Sequence, residues 1–592
     1  MRSVAREERP GVDSWLARIV AVVTALLVMA PTLGPGRYTL VSDMVFVSAP
    51  ALSARSWGAD GSVPRAVPMD ALLALASHVL PMWLVQQVLL LAIVGLAVLG
   101  AWRVSPARTI PGAAAGALAF GWTPYTAERL AMGHWSLLLG VALLPWILLA
   151  AIRFDGGREP LAPRAPWALV LLVAAGAVAA PTAGVLTGGL ALALIVLPRF
   201  RSRDRVVLVA SVVVFNATWV LPGALADALT STDPRGVAAF AVSPDTPWGG
   251  VVSLATGGGL WNTLTHPTSR GIPVAVAGSL VLLAIGLLGW SGSRAWWDEP
   301  ATRARGVVAG LALVGLLVGL ASLTPAGRDL LVWTTGHVPG GGILRDAQKW
   351  VAWWVLAVSL GVGPALERLT RPFSAREATF LVGCGAVLPL IVLPDLAWGV
   401  NGRLVAHRWP DDYAAAAQVV NESAAPGAAL VLPWHAFRAW SWNDQTTVLD
   451  PWSRLLDRRT IVRDDLEVRA GVVPGEDPEA AWVTARLAAG ELTPEALRQH
   501  GVRFVVEDLT TAGQDPGTEP AGEVVFEGRW IRVVDLGPVT GALPVSGHVG
   551  AVLTLDLAAG IWLIIALVGN AEERRRRVLC FAGKSSRGRQ QP

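Results

Sequence analysis

The stretch from Thr109 to Ile152 reads TIPGAAAGALAFGWTPYTAERLAMGHWSLLLGVALLPWILLAAI: two apolar runs around a short polar connector. The first run ends at Gly121, just before Pro124 breaks it, and the second begins at Trp135. Trp122 and Trp135 stand where aromatic side chains anchor at a membrane surface. Between them lie Glu128, Arg129 and His134. Apolar runs joined by connectors of this kind mark a chain whose solvent is lipid.

The same pattern repeats on both sides. Further spans are expected near Trp15–Gly34, Val85–Trp102, Pro166–Ala180, Ala183–Pro198, Val206–Leu225, Ile272–Trp290, Gly306–Leu323, Trp350–Leu366, Thr379–Leu396 and Gly550–Val568. The total is about twelve, and the pair around Pro181 reads as a hairpin. Of the 592 residues 53% are hydrophobic and 16% are charged, against about a quarter charged in soluble domains. Basic residues cluster in alternate connectors: Arg103 and Arg108; Arg153, Arg158 and Arg164; Arg199 to Arg205; Arg294, Arg303 and Arg305; Arg368, Arg371 and Arg376; and Arg574 to Arg577. This asymmetry puts both termini in the cytoplasm of a plasma (inner) membrane protein. It is the pattern of membrane loops, not of a nucleic-acid-binding face. Arg2, Arg6 and Arg9 precede an apolar run with no good cleavage site, which predicts an uncleaved first span. Cys384 and Cys580 are too far apart to imply a disulfide framework.

The chain divides into a helical membrane part at 1–399, a water-soluble part at 400–548, a last span at 549–569 and a basic cytoplasmic tail at 570–592, read as disordered. In the soluble part, Asp411–Asn421 and Thr493–His500 read as helices. Ala428–Leu432 and Arg503–Glu507 read as strands, and Glu523–Phe526 with Trp530–Asp535 as a hairpin. Together they predict a small extracytoplasmic α/β domain.

No phosphate loop, metalloprotease motif, nucleophile elbow or metal-spaced His/Cys cluster is present. Chemistry would therefore fall to polar residues at the outer boundary. Asp43 lies just past the first span, flanked by Val41, Met44, Val45 and Phe46; an apolar setting suits it to accept a proton. Its alternative is a cap for a short interfacial helix. Glu128, Arg129 and His134 are held at the surface by the connector, as substrate contacts or as a structural ion pair. Arg345-Asp346-Ala-Gln348-Lys349 precedes the tenth span. Two cations at an outer helix end run against the charge trend, and a bound phosphate would explain them. The alternative is pairing with Asp346 or Glu128. If that segment is helical, Arg345 and Lys349 share one face.

Four stretches carry a family resemblance: Ser42-Asp43-Met-Val-Phe-Val47, Pro124-Tyr-Thr-Ala-Glu128-Arg-Leu-Ala-Met-Gly133-His-Trp135, Asn216-Ala-Thr-Trp-Val-Leu-Pro-Gly223 and Arg345-Asp-Ala-Gln-Lys349. In these the chain resembles the GT-C superfamily of membrane glycosyltransferases, as found in large actinobacterial membrane proteins. The resemblance implies a polytopic GT-C-like fold and a polyprenyl-phosphate-linked sugar as donor. The acceptor would be an envelope glycan or lipid. It assigns Asp43 and Glu128 to catalysis, while the placement of Arg345, Lys349, Asp346, Arg129 and His134 makes them the substrate-binding candidates. It makes no cofactor certain and leaves a divalent metal open. A non-catalytic envelope-assembly scaffold and a lipid-linked glycan transporter or flippase are the competing readings.

Overall fold

The computed structural model describes residues 12–156, 166–198, 200–226, 233–291, 299–468, 471–509, 521–543 and 548–587. Arg2, Arg6, Arg9, Arg158, Arg164, Arg199, Arg294 and the last five residues of the tail lie outside them. The protein is a multi-pass membrane protein with a strand-containing C-terminal domain. Each of the twelve expected spans corresponds to one helix. Among the described residues, nine are long and apolar enough to cross a membrane. The other three, Ile110–Gly121, Trp167–Ala179 and Pro181–Leu194, are shorter. Twelve residues of helix rise about 18 Å against a hydrocarbon core of about 30 Å. Local chemistry sets these ends. Thr109 accepts from the Gly112 amide to cap the first, and Ala180 is extended, so the chain turns back at Pro181. The last helix continues to Arg587, through the segment read as disordered. Its run Glu572-Glu573-Arg574-Arg575 consists of good helix formers.

The helices pack through small residues. A side chain at Gly289 would fall on the backbone of Gly361, where Pro273–Trp290 crosses Ala352–Leu369. Such close backbone approach is how helices associate in lipid, where apolar transfer gives little drive.

The C-terminal domain holds a mixed five-stranded sheet. Its order is Glu523–Glu527, Ile531–Asp535, Val502–Asp508, Ala428–Leu432, Thr460–Ile461. The first two pairings are antiparallel, and the two made by Ala428–Leu432 are parallel. Alternate side chains go to opposite faces, with the register shifting once between the Ala428–Val502 and Ala429–Phe504 pairs. Ala429, Val431, Phe504 and Val506 join the large core that runs on into the membrane helices. Ala428, Leu430, Val502 and Val505 form a separate core with Val483 and Leu497 from Pro478–Ala489 and Pro494–Gln499. The sequence reading found four strands of this sheet and two of the domain's helices. It missed Thr460–Ile461 and Pro478–Ala489.

The domain is stitched to the loop after the first helix. Tyr38–Thr39 pairs with Ala406–His407. The Ser42 amide donates to the Thr447 carbonyl at 2.6 Å, and the Leu449 amide returns to Ser42 at 2.8 Å. Trp409 Nε1 donates to the Phe46 carbonyl at 2.8 Å. This brackets Asp43 on both sides and fixes it at the face of the membrane that carries the domain.

Candidate functional site

Three segments distant in sequence meet at that face. The Thr123 hydroxyl accepts from the Thr126 amide and, with Pro124 in the first turn, starts the helix Pro124–Ala131. The helix ends at Gly133, whose φ is +78°. A Cβ there would collide with the Met44 amide and the Val41 carbonyl. Glycine therefore lets the connector lie directly on the first loop, where the Asp43 amide donates to the Met132 carbonyl at 3.2 Å.

A continuous polar chain results. His134 Nε2 lies 3.1 Å from Asp43 Oδ2, and His134 Nδ1 lies 3.0 Å from Arg129 Nη1. A guanidinium can only donate, so Nδ1 accepts and the ring proton sits on Nε2, which donates to Asp43. Burial lowers the His134 pKa, and the Arg129 charge adds to it against the pull of Asp43. A neutral imidazole thus orients the Asp43 carboxylate. Arg129 also donates to both oxygens of Asp346, at 2.7 and 2.9 Å, and its Nε reaches Gln348 Oε1 at 3.0 Å. Arg129 is wholly buried. Its charge and that of Lys349 hold Asp346 well below the usual carboxylate range, against the burial that would raise it. Lys349 Nζ lies 3.7 Å from Asp346, and the Tyr125 hydroxyl donates to the Lys349 carbonyl at 2.9 Å. The side chains of Asp43 and Lys349 stay 38% and 26% exposed. A carboxylate and an ammonium are thus presented at the two ends of a rigid buried network.

The structure brings together Asp43, His134, Arg129, Asp346 and Lys349. It does not put Arg345 and Lys349 on one α-helical face. Gly341–Leu344 and Ala347–Val351 are separate 3-10 turns with Arg345 and Asp346 between them. Arg345 instead pairs with Glu476 of the strand domain at 3.2 Å and lies over the Phe240 ring.

Glu128 is completely buried. It accepts from the Gly259 and Leu260 amides at 3.1 and 3.0 Å. Burial first, and the neighbouring Asp245 second, push its pKa well up. Asp245 in turn pairs with buried Arg270 at 2.7 Å. Glu128 therefore pins the Gly257–Leu260 loop, which Gln348 Nε2 also meets at Gly258. Contact with a substrate at Glu128 has no geometric support here, whereas positioning does. Replacing Glu128 by Ala leaves two buried amides unpaired at about 1–3 kcal/mol each. Glu128→Gln leaves one, because a neutral carboxyl can accept on both oxygens and an amide on one. Thermal unfolding in detergent should rank wild type, Gln, then Ala; an Ala variant as stable as the parent would contradict the pinning role.

Sequence reasoning missed Tyr125, Gln348, Glu476 and the Asp245–Arg270 pair. Tyr125 and Gln348 stand inside the quoted motifs, Tyr125 four residues before Arg129 and Gln348 next to Lys349. Nothing local marks the other three. Among the described residues, no group of three or more His, Cys, Asp or Glu is placed to hold a metal.

No protein-family model matches the chain, and no curated protein matches it. Solved structures do. A cryo-EM structure of the arabinofuranosyltransferase AftD from Mycobacteria aligns at TM-score 0.56 and 19% identity, over 88% of this chain and 40% of that one. Its R1389S mutant, class 2, aligns at TM-score 0.57 and 18% identity, over 88% and 41%. The archaeal oligosaccharyltransferase AglB from Archaeoglobus fulgidus aligns over 84% of this chain and 70% of its own at 13% identity and a TM-score of 0.36. The chain thus shares the fold of the part of AftD that it matches, about two fifths of the length of that neighbour.

Proposed function

We propose that this protein is a membrane glycosyltransferase that takes a sugar from a polyprenyl-phosphate donor and passes it to an envelope glycan or lipid on the outer face. The observation that carries this reading is the buried network joining Asp43 to Lys349 through His134, Arg129 and Asp346. The fold shared with AftD supports it.

In this reading the domain-bearing face is extracytoplasmic, and the donor phosphate enters from the bilayer to Lys349. The acceptor hydroxyl gives its proton to Asp43 as its oxygen bonds to the anomeric carbon. The carbon–oxygen bond to phosphate breaks, and the phosphate leaves with the electron pair. Phosphate needs no general acid, and Lys349 offsets its growing charge. The sugar passes through an oxocarbenium-like state, as in glycoside inversion. His134 and Arg129 position Asp43 and do not touch the sugar. Glu128 holds the loop behind them. Arg345 reaches the phosphate by exchanging Glu476 for it.

The charges that favour these roles gather at one face and not midway through spans, which argues against a transport path. The direct test is transfer of radiolabelled sugar from synthetic polyprenyl phosphate in proteoliposomes. Lys349→Ala is expected to raise the donor KM by about ten- to a hundredfold, the scale of a lost charge-assisted contact. Arg345→Ala should raise it less, because Glu476 already occupies that side chain. No transfer from any polyprenyl-phosphate sugar, by folded protein and with acceptors supplied, would reject the reading.

A further inference from the structure

Residues 257–262 run as a loop from one end of the Asp43–Lys349 network to the other. At its start, Gln348, the neighbour of Lys349, donates from Nε2 to the Gly258 carbonyl at 3.4 Å. At its end, Asn262 Nδ2 lies 3.3 Å from the sulfur of Met132, whose carbonyl accepts from the Asp43 amide. Glycine makes the path possible: φ is +88° at Gly257 and +90° at Gly259, a region other residues avoid. The turn points the Gly259 and Leu260 amides at the buried Glu128 carboxyl, and His266 Nε2 meets the Leu260 carbonyl at 2.7 Å. The loop is therefore held from behind, and Trp261 and Asn262 follow directly on its pinned part.

Both side chains are half-buried, and both have capacity left. The Trp261 ring meets Phe240 edge to face at 4.9 Å, and Phe240 also carries the Arg345 guanidinium at 5.2 Å. An edge-to-face contact covers at most one side of an indole. Among the described residues the Trp261 N–H has no partner. Asn262 Oδ1 accepts from the Leu264 amide at 3.1 Å, which fixes the carboxamide with Nδ2 toward Met132. A thioether is a weak acceptor, and Nδ2 carries two N–H groups. An aromatic ring and an under-used amide donor thus flank the stretch between a carboxylate and an ammonium. A sugar offers the complement to both, with C–H bonds on a ring face and hydroxyls at the rim.

We propose that Trp261 and Asn262 form the subsite for the sugar that a lipid phosphate carries, Trp261 stacked on the sugar ring and Asn262 donating to one of its hydroxyls. The proposal rests on the reading that the phosphate meets Lys349, and it adds the residues that recognise what the phosphate holds.

Binding tests this without turnover. The probes are farnesyl phosphate and farnesylphosphoryl ribose, mannose and glucose, followed by native mass spectrometry of the full chain in neutral detergent. Wild type is expected to bind at least one sugar-bearing probe about tenfold more tightly than farnesyl phosphate, the scale of one aromatic contact with one hydrogen bond. Trp261→Ala should erase most of that preference, and Asn262→Leu should cut it about fivefold, the scale of one neutral hydrogen bond. Both should keep wild-type affinity for farnesyl phosphate, which shows that the fold and Lys349 are intact. Trp261→Phe should retain part of the preference, because a smaller ring still stacks. Leu264→Ala, at a side chain 82% exposed on the same loop, should change nothing. Should Trp261→Ala lose farnesyl phosphate as well, the variant is misfolded and Asn262→Leu decides. A wild type that binds all four probes equally overturns the subsite, as does a preference that survives Asn262→Leu and a folded Trp261→Ala. Lys349→Ala probes the other reading: it should weaken all four probes alike, and its failure to do so removes the phosphate contact while a Trp261-dependent sugar preference still stands.

Discussion

Asp43→Asn is expected to lower the rate of sugar transfer by about 10²–10⁴, the usual contribution of a positioned general base, while leaving the fold intact. The substitution is nearly isosteric. The Asn oxygen can still accept from His134 Nε2, and the backbone amide still reaches Met132. What is lost is the negative charge that takes the acceptor proton. The defect should therefore fall on kcat, with the donor KM little changed, because Lys349 and not Asp43 meets the phosphate. Proteoliposome kinetics with a melting curve on the same sample separate the two. His134→Phe should give a milder loss, since it removes the group that aims the carboxylate but not the carboxylate itself. Wild-type turnover in Asp43→Asn would remove the base role and leave only the fold standing.

The membrane helices were legible because twenty apolar residues in a row have few other uses in a chain this poor in charge. Their ends were less so. Ile110–Gly121 stops short because Trp122 and Pro124 turn the chain, and hydropathy averages across such a break. In the strand domain, Ala428–Leu432 was readable as a run of small and aliphatic residues between turn formers. Thr460–Ile461 was not, since two residues give no period. Pro478–Ala489 does carry local helix signals, with Asp477 as N-cap, Pro478 in the first turn and Gly490 at the C-cap. The site divides the same way. Asp43, Arg129, His134 and Lys349 drew attention as charges or polar rings in apolar company. Their connectivity could not be read, because His134 lies 91 residues from Asp43 and Arg129 lies 217 from Asp346. The sequence suggested Arg345 and Lys349 as twin phosphate ligands on one helix. A turn of 3-10 helix on each side of Asp346 instead gives each cation its own partner.

Arg129→Ala tests whether this network holds the site together. Arg129 is wholly buried, and its guanidinium meets both oxygens of Asp346, Gln348 and the free nitrogen of His134. Removing it leaves Asp346 buried with Lys349 as its remaining cationic partner at 3.7 Å. Breaking a buried pair from one side costs about 3–5 kcal/mol, so this variant should lose more stability than any change at Asp43, Arg345 or Lys349. Arg129→Lys should restore only part, because an ammonium is a point charge and cannot span a carboxylate with two parallel bonds. The double variant Arg129→Leu with Asp346→Leu discriminates between causes. If the loss in Arg129→Ala comes from a stranded carboxylate, removing that carboxylate as well should recover much of the stability. Transfer should stay low, since His134 would have no donor at Nδ1 to fix its proton on the Asp43 side. Thermal unfolding and initial transfer rates on the three variants read both quantities. A double variant that regains stability and full activity would mean that Asp43 needs no orienting network at all.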